Sequence, residues 1–334
     1  QLLDIQSGFV LLLLWVVGGI TALCGALTYA ELGSALPRSG GEYNFLTEIY
    51  HPSAGFVSGW VSATIGFAAP TALAAITFGE YLQAVFPSLS PTWLAIGLVV
   101  VLTAVHASTR RSSGGVQRAF TVLKVLLILL FCLAAWMLVE APQKDMRFLP
   151  GPRDLSVTLS GAFAVALIFV NYAYTGWNAA TYLTSELESP ERHLSKVLIR
   201  GTLVVLVLYV MLNFTFLYVA PAAEMAGQLE IGYIAARHVF GETGADVMGV
   251  VLAALLISTV SAMVMAGPRV LQVIGEDFAA FRPLAKVNAY DVPTNAIIFQ
   301  SLVTLTFIIT ASFETILVFA GFTLGVNTFF TVLG

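Results

Sequence analysis

Nine long runs of apolar residues, separated by short polar segments, dominate the chain. Pro or Gly lies in nearly every gap between them, as at Pro37, Pro52, Pro190 and Pro221. A helix needs about 20 apolar residues to cross a bilayer, and most runs approach or exceed that length. The pattern predicts an all-α integral membrane protein with spans, to within a few residues, at 8–35, 53–86, 92–107, 117–139, 157–185, 197–220, 245–274, 294–312 and 315–334.

Composition supports this class. The chain has 334 residues, of which 58% are hydrophobic and 10% are charged, against about 45–50% and about 25% in soluble domains. The lipid bilayer is therefore an expected partner. Nucleic acid is not an expected partner, because the sequence has no basic patch. Cys24 and Cys132 lie inside apolar runs without metal-type spacing, so we expect neither a disulfide, a metal site nor a cofactor.

The run 157–185 contains Thr175-Gly176 in its middle, between Tyr174 and Trp177, and carries no charged residue. A Gly beside a β-branched residue is a poor place for an unbroken helix, and backbone unwinds at membrane depth only where protein or a water-filled cavity satisfies it. Discontinuous helices of this kind hold substrates in secondary transporters. The pattern indicates a binding site, although a plain helix whose Gly packs against a neighbour would have the same sequence.

Basic residues predict the orientation. Alternate loops hold ten of the 15 Lys and Arg, and the positive-inside rule makes those loops cytoplasmic. They carry Arg38, Arg110, Arg111, Arg118, Arg192, Lys196, Arg200, Arg269, Arg282 and Lys286, whereas the opposite loops carry Lys144, Arg147, Arg153 and Arg237. This orientation places Gln1 on the outer side of the membrane, and the chain has no signal that would carry it there. We interpret this as a sign that a further helix, missing from this chain, precedes Gln1.

Weak internal symmetry suggests a repeat. A long run follows the amphipathic connector GGEYNFLTEIYH early in the chain, and another follows AAEMAGQLEIGYIAARHVF later. The order of spans and connectors predicts one transmembrane domain over 1–334, with 1–155 as the remainder of a first repeat and 156–334 as a second, inverted repeat.

Lys124 is an ionisable residue inside a span, and such residues are costly in hydrocarbon and commonly functional. Its ammonium can stand where a coupling cation would sit, or it can snorkel to the cytoplasmic interface; the sequence leaves both open. Ser258 and Ser261 share one helical face, as an ion or ligand site needs, but from the sequence alone helix packing explains them better. The small-residue pairs Gly55/Gly59 and Gly321/Gly325 predict close helix contacts.

Enzyme chemistry is not indicated. The four His residues lie in loops or at span ends, and neither HExxH, GxSxG nor a P-loop is present. We therefore predict that the chain is not an enzyme.

Two stretches, LWVVGGITALCGALTYAELGSALPRSGGEYNFL (14–46) and YAYTGWNAATYLTSELESPERHL (172–194), resemble the amino acid, polyamine and organocation (APC) superfamily, close to its L-amino acid transporter branch. GPRVLQVIGED and VPTNAI are similar to the end of its eighth helix and the start of its ninth. The resemblance covers the chain as family helices two to ten. It implies a five-plus-five inverted-repeat fold with broken helices. The first helix and the last two helices of that fold are absent from this chain.

The resemblance also implies site residues. Substrate binding is expected at Tyr172, Ala173, Tyr174, Thr175, Gly176, Trp177 and Asn178, where the aromatic ring of Tyr172 would cover the substrate. Many relatives have Gly-Gly-Trp where this chain has Thr175-Gly176-Trp177, so the Thr175 side chain is expected to narrow the pocket or to add a hydroxyl to it. Lys124 matches a fifth-helix lysine that replaces a bound sodium, and coupling is expected at Lys124, Ser258 and Ser261.

The resemblance implies a multi-pass permease of the inner or plasma membrane that moves an amino acid by alternating access, coupled to protons or to a counter-substrate. Two alternatives remain. A polyamine or other amine carrier should show acidic residues at pocket depth, and the spans show none clearly there. A non-transporting amino-acid sensor would have the same fold. Oligomeric state is not predicted by the sequence.

Overall fold

The chain is described by a computed structural model in which residues 7–108, 114–139, 143, 146–187 and 189–334 are placed. Arg110, Arg111 and Lys144, which contribute to the predicted orientation, lie outside these residues. The described α-helices are α1 (Gly8–Ala35), α2 (Glu42–Ile49), α3 (Pro52–Val61), α4 (Ala68–Val85), α5 (Pro91–Ser108), α6 (Gly114–Leu138), α7 (Asp154–Thr158), α8 (Gly161–Ala173), α9 (Pro190–Val219), α10 (Ala222–Met225), α11 (Ile231–Ala266), α12 (Pro268–Asp277), α13 (Arg282–Ala285), α14 (Thr294–Thr310) and α15 (Phe313–Leu333).

The predicted all-α membrane class is confirmed. In the described part of the chain, seven helical segments are long and apolar enough to cross a membrane, and α8 and α14 are two shorter apolar helices. Together they account for all nine apolar runs. The chain is therefore a multi-pass membrane protein.

Helix boundaries follow local chemistry. Ser7, Ser160 and Ser312 cap α1, α8 and α15 by accepting hydrogen bonds from backbone N–H groups of the first turn. Pro52, Pro190 and Pro268 occupy the first turn of their helices, where no hydrogen-bond donor is needed.

One interruption lies at a position that the apolar pattern did not predict, and a second lies at the predicted boundary between the later connector and its span. Between α3 and α4 the chain forms a π-helical segment, Ser62–Phe67. Pro70 follows it, and its missing N–H deprives the carbonyl of Gly66 of an α-helical donor. Gly241, at φ 72° and ψ −175°, breaks α11 so that its first ten residues belong to the connector rather than to the span.

The helices pack through small residues. A Cβ on Gly33 would lie 2.4 Å from Leu194 of α9, and one on Gly79 would lie 2.3 Å from the carbonyl oxygen of Pro91. Gly55 and Gly59 approach α2 in the same way, which confirms the predicted contact for that pair. The prediction is wrong for Gly321 and Gly325: a Cβ on Gly321 would meet its neighbours only at ordinary distances, and one on Gly325 would meet nothing within 4 Å.

Candidate functional site

The run 157–185 is broken where the sequence predicted. α8 ends at Ala173, Gly176 adopts φ 99° and ψ −9°, and a 3₁₀ helix then runs over Trp177–Glu186. The 13 residues of α8 span only about 20 Å, too short for a hydrocarbon core of about 30 Å. The segment after the break must therefore complete the crossing, and Gly176 is needed because an L-residue is strained at this positive φ.

Two cavities flank the break. A smaller one, about 90 Å³, lies between the break, the π-helical segment and α15. A larger one, about 400 Å³, lies between α1, α8 and α15, and Gly321 and Gly325 contribute to its wall. The missing side chains of these two glycines thus open space for a cavity instead of a helix contact.

The seven residues predicted to bind substrate do not all face these cavities. Thr175 and Trp177 line both, Gly176 and Asn178 line the smaller one, and Tyr172 lines the larger one.

Ala173 and Tyr174 line neither cavity. The carbonyl oxygen of Ala173 accepts a hydrogen bond from the Tyr209 hydroxyl at 3.0 Å. Tyr174 is buried and donates to the Trp15 carbonyl oxygen at 2.9 Å. Both residues thereby fix α8 against α1 and α9, next to the cavities.

A carboxylate that the sequence analysis did not single out lies at the smaller cavity. Glu42, the first residue of α2, is only 2% exposed and lines this cavity. The sequence analysis considered acidic residues within the spans only, and Glu42 lies outside them. It belongs to a polar connector between two spans, where a carboxylate is normally solvated.

Five side chains donate hydrogen bonds to Glu42. Oε1 accepts from the Tyr29 hydroxyl at 2.7 Å and from Asn178 Nδ2 at 3.1 Å. Oε2 accepts from Tyr182 at 2.7 Å, Asn327 at 2.8 Å and Ser62 at 2.9 Å. The donors come from α1, the π-helical segment, the 3₁₀ helix and α15, so one carboxylate joins the elements around the break.

Two glycines turn the chain into this position. Gly40 and Gly41 have φ values of 119° and 55°, and the N–H of Gly41 donates to the carbonyl oxygen of Thr181 in the 3₁₀ helix at 3.2 Å. A side chain on Gly41 would also lie 2.7 Å from the Tyr182 ring. The sequence Gly-Gly-Glu is therefore required for α2 to approach the broken helix.

The far side of α2 is held by an ion pair. Arg38 contacts both oxygens of Asp277 at 2.8 and 2.9 Å, and the Tyr43 hydroxyl donates to the same carboxylate. Burial, and then the hydrogen bond to Asp277, raise the pKa of Tyr43. Tyr43 therefore remains a neutral donor, and α2 is fixed to the end of α12.

Aromatic packing shapes the cavity beside Glu42. The Trp177 ring meets Tyr29 edge-on with centroids 4.7 Å apart, and Tyr182 meets Phe67 edge-on at 5.1 Å. A Cβ on Gly25 would lie 2.6 Å from the Trp177 ring, so Gly25 allows the indole to lie against α1.

The three residues expected to take part in coupling have different contacts. Lys124 Nζ donates to Thr259 Oγ1 of α11 at 2.8 Å, so its ammonium faces the bundle. Ser261 contacts His106 Nε2 of α5 at 2.8 Å, whereas Ser258 is buried and its hydroxyl has no hydrogen-bond partner among the described residues. Lys124 also lines a third, largely apolar cavity of about 400 Å³ between α4, α6, α9 and α11.

Comparison with known proteins gives the chain a family. The model of the amino acid permease family matches residues 4–334. The b(0,+)-type amino acid transporter 1 of Mus musculus is 26% identical over 330 residues, which cover 97% of this chain and 67% of that protein. The large neutral amino acids transporter small subunit 2 of the same species is 27% identical over 322 residues, covering 93% and 60%.

A bacterial relative is similar as well. The serine/threonine exchanger SteT of Bacillus subtilis is 30% identical over 259 residues, which cover 77% of this chain and 58% of the exchanger. The chain thus spans about three-fifths to two-thirds of the length of these relatives. All three are named as transporters or exchangers, not enzymes. With a family match over nearly its whole length, the chain belongs to the amino acid permease family.

Proposed function

We propose that this protein moves an amino acid across the cell membrane by alternating access, and that the substrate binds at the break between α8 and the 3₁₀ helix. The observation that carries the proposal is the break itself, with Gly176 at φ 99° and two cavities beside it. Unwound backbone at membrane depth offers N–H and C=O groups to a substrate, and such backbone is tolerated where it lines a cavity.

The side chains around the break suit an amino acid. Thr175, Asn178 and Thr328 provide polar atoms at the smaller cavity, and Trp177 and Leu324 provide apolar surface. Pockets that combine a few placed polar groups with an apolar wall bind small molecules well. Tyr172 lies at the larger cavity and would cover the substrate from that side.

Transport would be coupled to protons or to a counter-substrate. The ammonium of Lys124 faces α11 through Thr259, which supports a coupling role over snorkelling. Ser258 lies one residue before Thr259 and Ser261 lies two residues after it, and both remain candidates for a coupling role. The name of the bacterial relative, an exchanger, favours the counter-substrate.

The architecture proposed is two inverted repeats, 1–155 and 156–334, in the plasma or inner membrane. The connectors before the second long run of each repeat occupy corresponding places in the chain order: α2 lies between α1 and α3, and α10 with the first part of α11 lies after α9. An odd number of spans between such connectors would put them on opposite sides of the membrane.

An amine carrier is a second candidate, favoured by one observation. Glu42 places a carboxylate at the smaller cavity, as a cationic substrate would require. An amino-acid sensor without transport activity has the same expected fold and would bind its ligand without flux.

The test is counterflow by the full-length protein in proteoliposomes, with a panel of labelled amino acids and polyamines. We expect exchange of at least one amino acid. Exchange of polyamines alone would establish the amine carrier, and binding without counterflow would establish the sensor.

A further inference from the structure

We propose that Glu42 selects substrates by charge, so that the cavity at the helix break accepts amino acids of zero or positive net charge and rejects those of negative net charge. The inference rests on the proposed function, because it concerns the same cavity.

Hydrogen-bond donors from four structural elements surround the Glu42 side chain. Its partners are two amides, Asn178 and Asn327, and three hydroxyls, those of Tyr29, Ser62 and Tyr182. Each of these five groups can donate a hydrogen bond, and the two carboxylate oxygens accept all five.

No cation balances this charge within the described part of the chain. The ion pairs there do not include Glu42, and Glu42 is the one carboxylate among the described residues that line the cavity, where Lys and Arg do not occur. Lys124 is not among the described residues that line this cavity, because its ammonium donates to Thr259, one helical turn from the cavity residue Met263. Buried charges are usually paired, so this arrangement leaves a net negative charge at the cavity wall.

That charge discriminates between substrates. Interactions between charges are stronger at a desolvated site than in water. The α-ammonium of a zwitterion, or the second ammonium of a cationic amino acid, is attracted, whereas a side-chain carboxylate is repelled and must be desolvated beside a like charge. Discrimination of this kind comes from the repulsion as much as from the attraction.

The carboxylate itself does not need to touch the substrate. Its oxygens are occupied by the five donors, and it is 2% exposed. Glu42 therefore acts through its charge, and through the orientation of Asn178, which donates to it and faces the cavity.

The experiment measures competition against counterflow of a labelled neutral substrate by the full-length protein, with lysine as the cationic competitor and glutamate as the dicarboxylic one. The readout is the ratio of the two inhibition constants. Glu42→Gln preserves side-chain size and removes the charge, and we expect it to reduce the preference for lysine over glutamate by about tenfold or more.

Ser62→Ala is the matched control. It removes one hydroxyl donor from the same carboxylate and leaves the charge in place. Its ratio should remain that of the wild type whatever the effect on rate. An unchanged ratio in Glu42→Gln would overturn the proposal, because the charge would then have no effect on selectivity. An equal fall of the ratio in Ser62→Ala would also overturn it, because altered packing alone would then explain the change in selectivity.

Two further measurements keep the test decisive if Glu42→Gln is inactive. The shift in unfolding temperature caused by lysine and by glutamate reports binding without flux, and the same loss of preference is expected there. Glu42→Asp retains the charge and should retain the preference; its loss in this variant contradicts the proposal. Wild-type protein that neither binds nor exchanges any amino acid would reject the proposed function before a variant is made.

Discussion

Glu42 and Lys124 are an acidic and a basic residue inside the bundle, and they are held by different partners. Glu42 accepts five hydrogen bonds around the break, whereas Lys124 donates to Thr259 on α11. The sequence indicated the lysine because it interrupts an apolar span. It did not indicate the glutamate, because its partners are between 13 and 285 residues away in the chain and only the fold brings them together.

Lys124 is the residue on which coupling can be tested. We expect Lys124→Ala to insert and fold but to lose the dependence of uptake on external pH, because the ammonium that stands in place of a cation is removed. Lys124→Arg should not restore it, since a guanidinium is larger and does not release its proton. Uptake in proteoliposomes over a pH series measures this.

Lys286→Ala serves as the control for that experiment. Lys286 is exposed, next to α13, and lies outside the spans, so its removal should leave the pH profile as in the wild type. An unchanged profile in Lys124→Ala would show that the lysine has no part in coupling.

At the scale of elements, apolar patterning predicted where helices lie and missed how some are interrupted. Run length is a strong signal because a bilayer imposes it, and α1 begins and ends at the predicted residues. The break at Gly176 was predicted from a Gly beside Thr. The π-helical segment was not, although Pro70 carried a signal for it, because a proline inside a membrane helix is tolerated in several ways.

The break can be tested by restricting Gly176. Gly176→Ala meets no neighbour within 4 Å, so its effect is conformational: φ 99° strains any L-residue. The free variant relaxes away from this geometry, and restoring it on binding costs about 1–2 kcal/mol. This corresponds to a loss of substrate affinity of about 5- to 30-fold, measured by binding or by the KM of counterflow.

Gly201→Ala is the matched control for this change. Gly201 lies inside α9, and its added methyl group also meets nothing within 4 Å. Because alanine favours a helix over glycine by about 1 kcal/mol, the control should be neutral or slightly stabilised. Equal affinity in both variants would contradict a site that depends on the geometry of the break.

At the scale of the molecule, family membership is shown by the match over residues 4–334, whereas the inverted repeat remains a prediction from loop charges and the order of connectors. The helices alone do not orient the chain, because an apolar span crosses equally well in either direction. Orientation depends on where Lys and Arg lie.

A pair of cysteines tests the inversion. Glu48 of α2 and Gln228 after α10 are exposed and lie in corresponding connectors. In a background with Cys24→Ser and Cys132→Ser, we expect a membrane-impermeant maleimide outside intact cells to label Gln228→Cys and not Glu48→Cys. Labelling of both from the same side would exclude inverted repeats.

The most direct test of substrate binding at the break uses Thr175, which is exposed and lines both cavities. In the same cysteine-free background, Thr175→Cys in the full-length protein is treated with a small thiol reagent in the presence of each transported amino acid. We predict that a transported amino acid slows modification of Thr175→Cys severalfold and leaves Gln228→Cys unaffected. Modification of Thr175→Cys at the same rate with and without every transported substrate would contradict a binding site at the break.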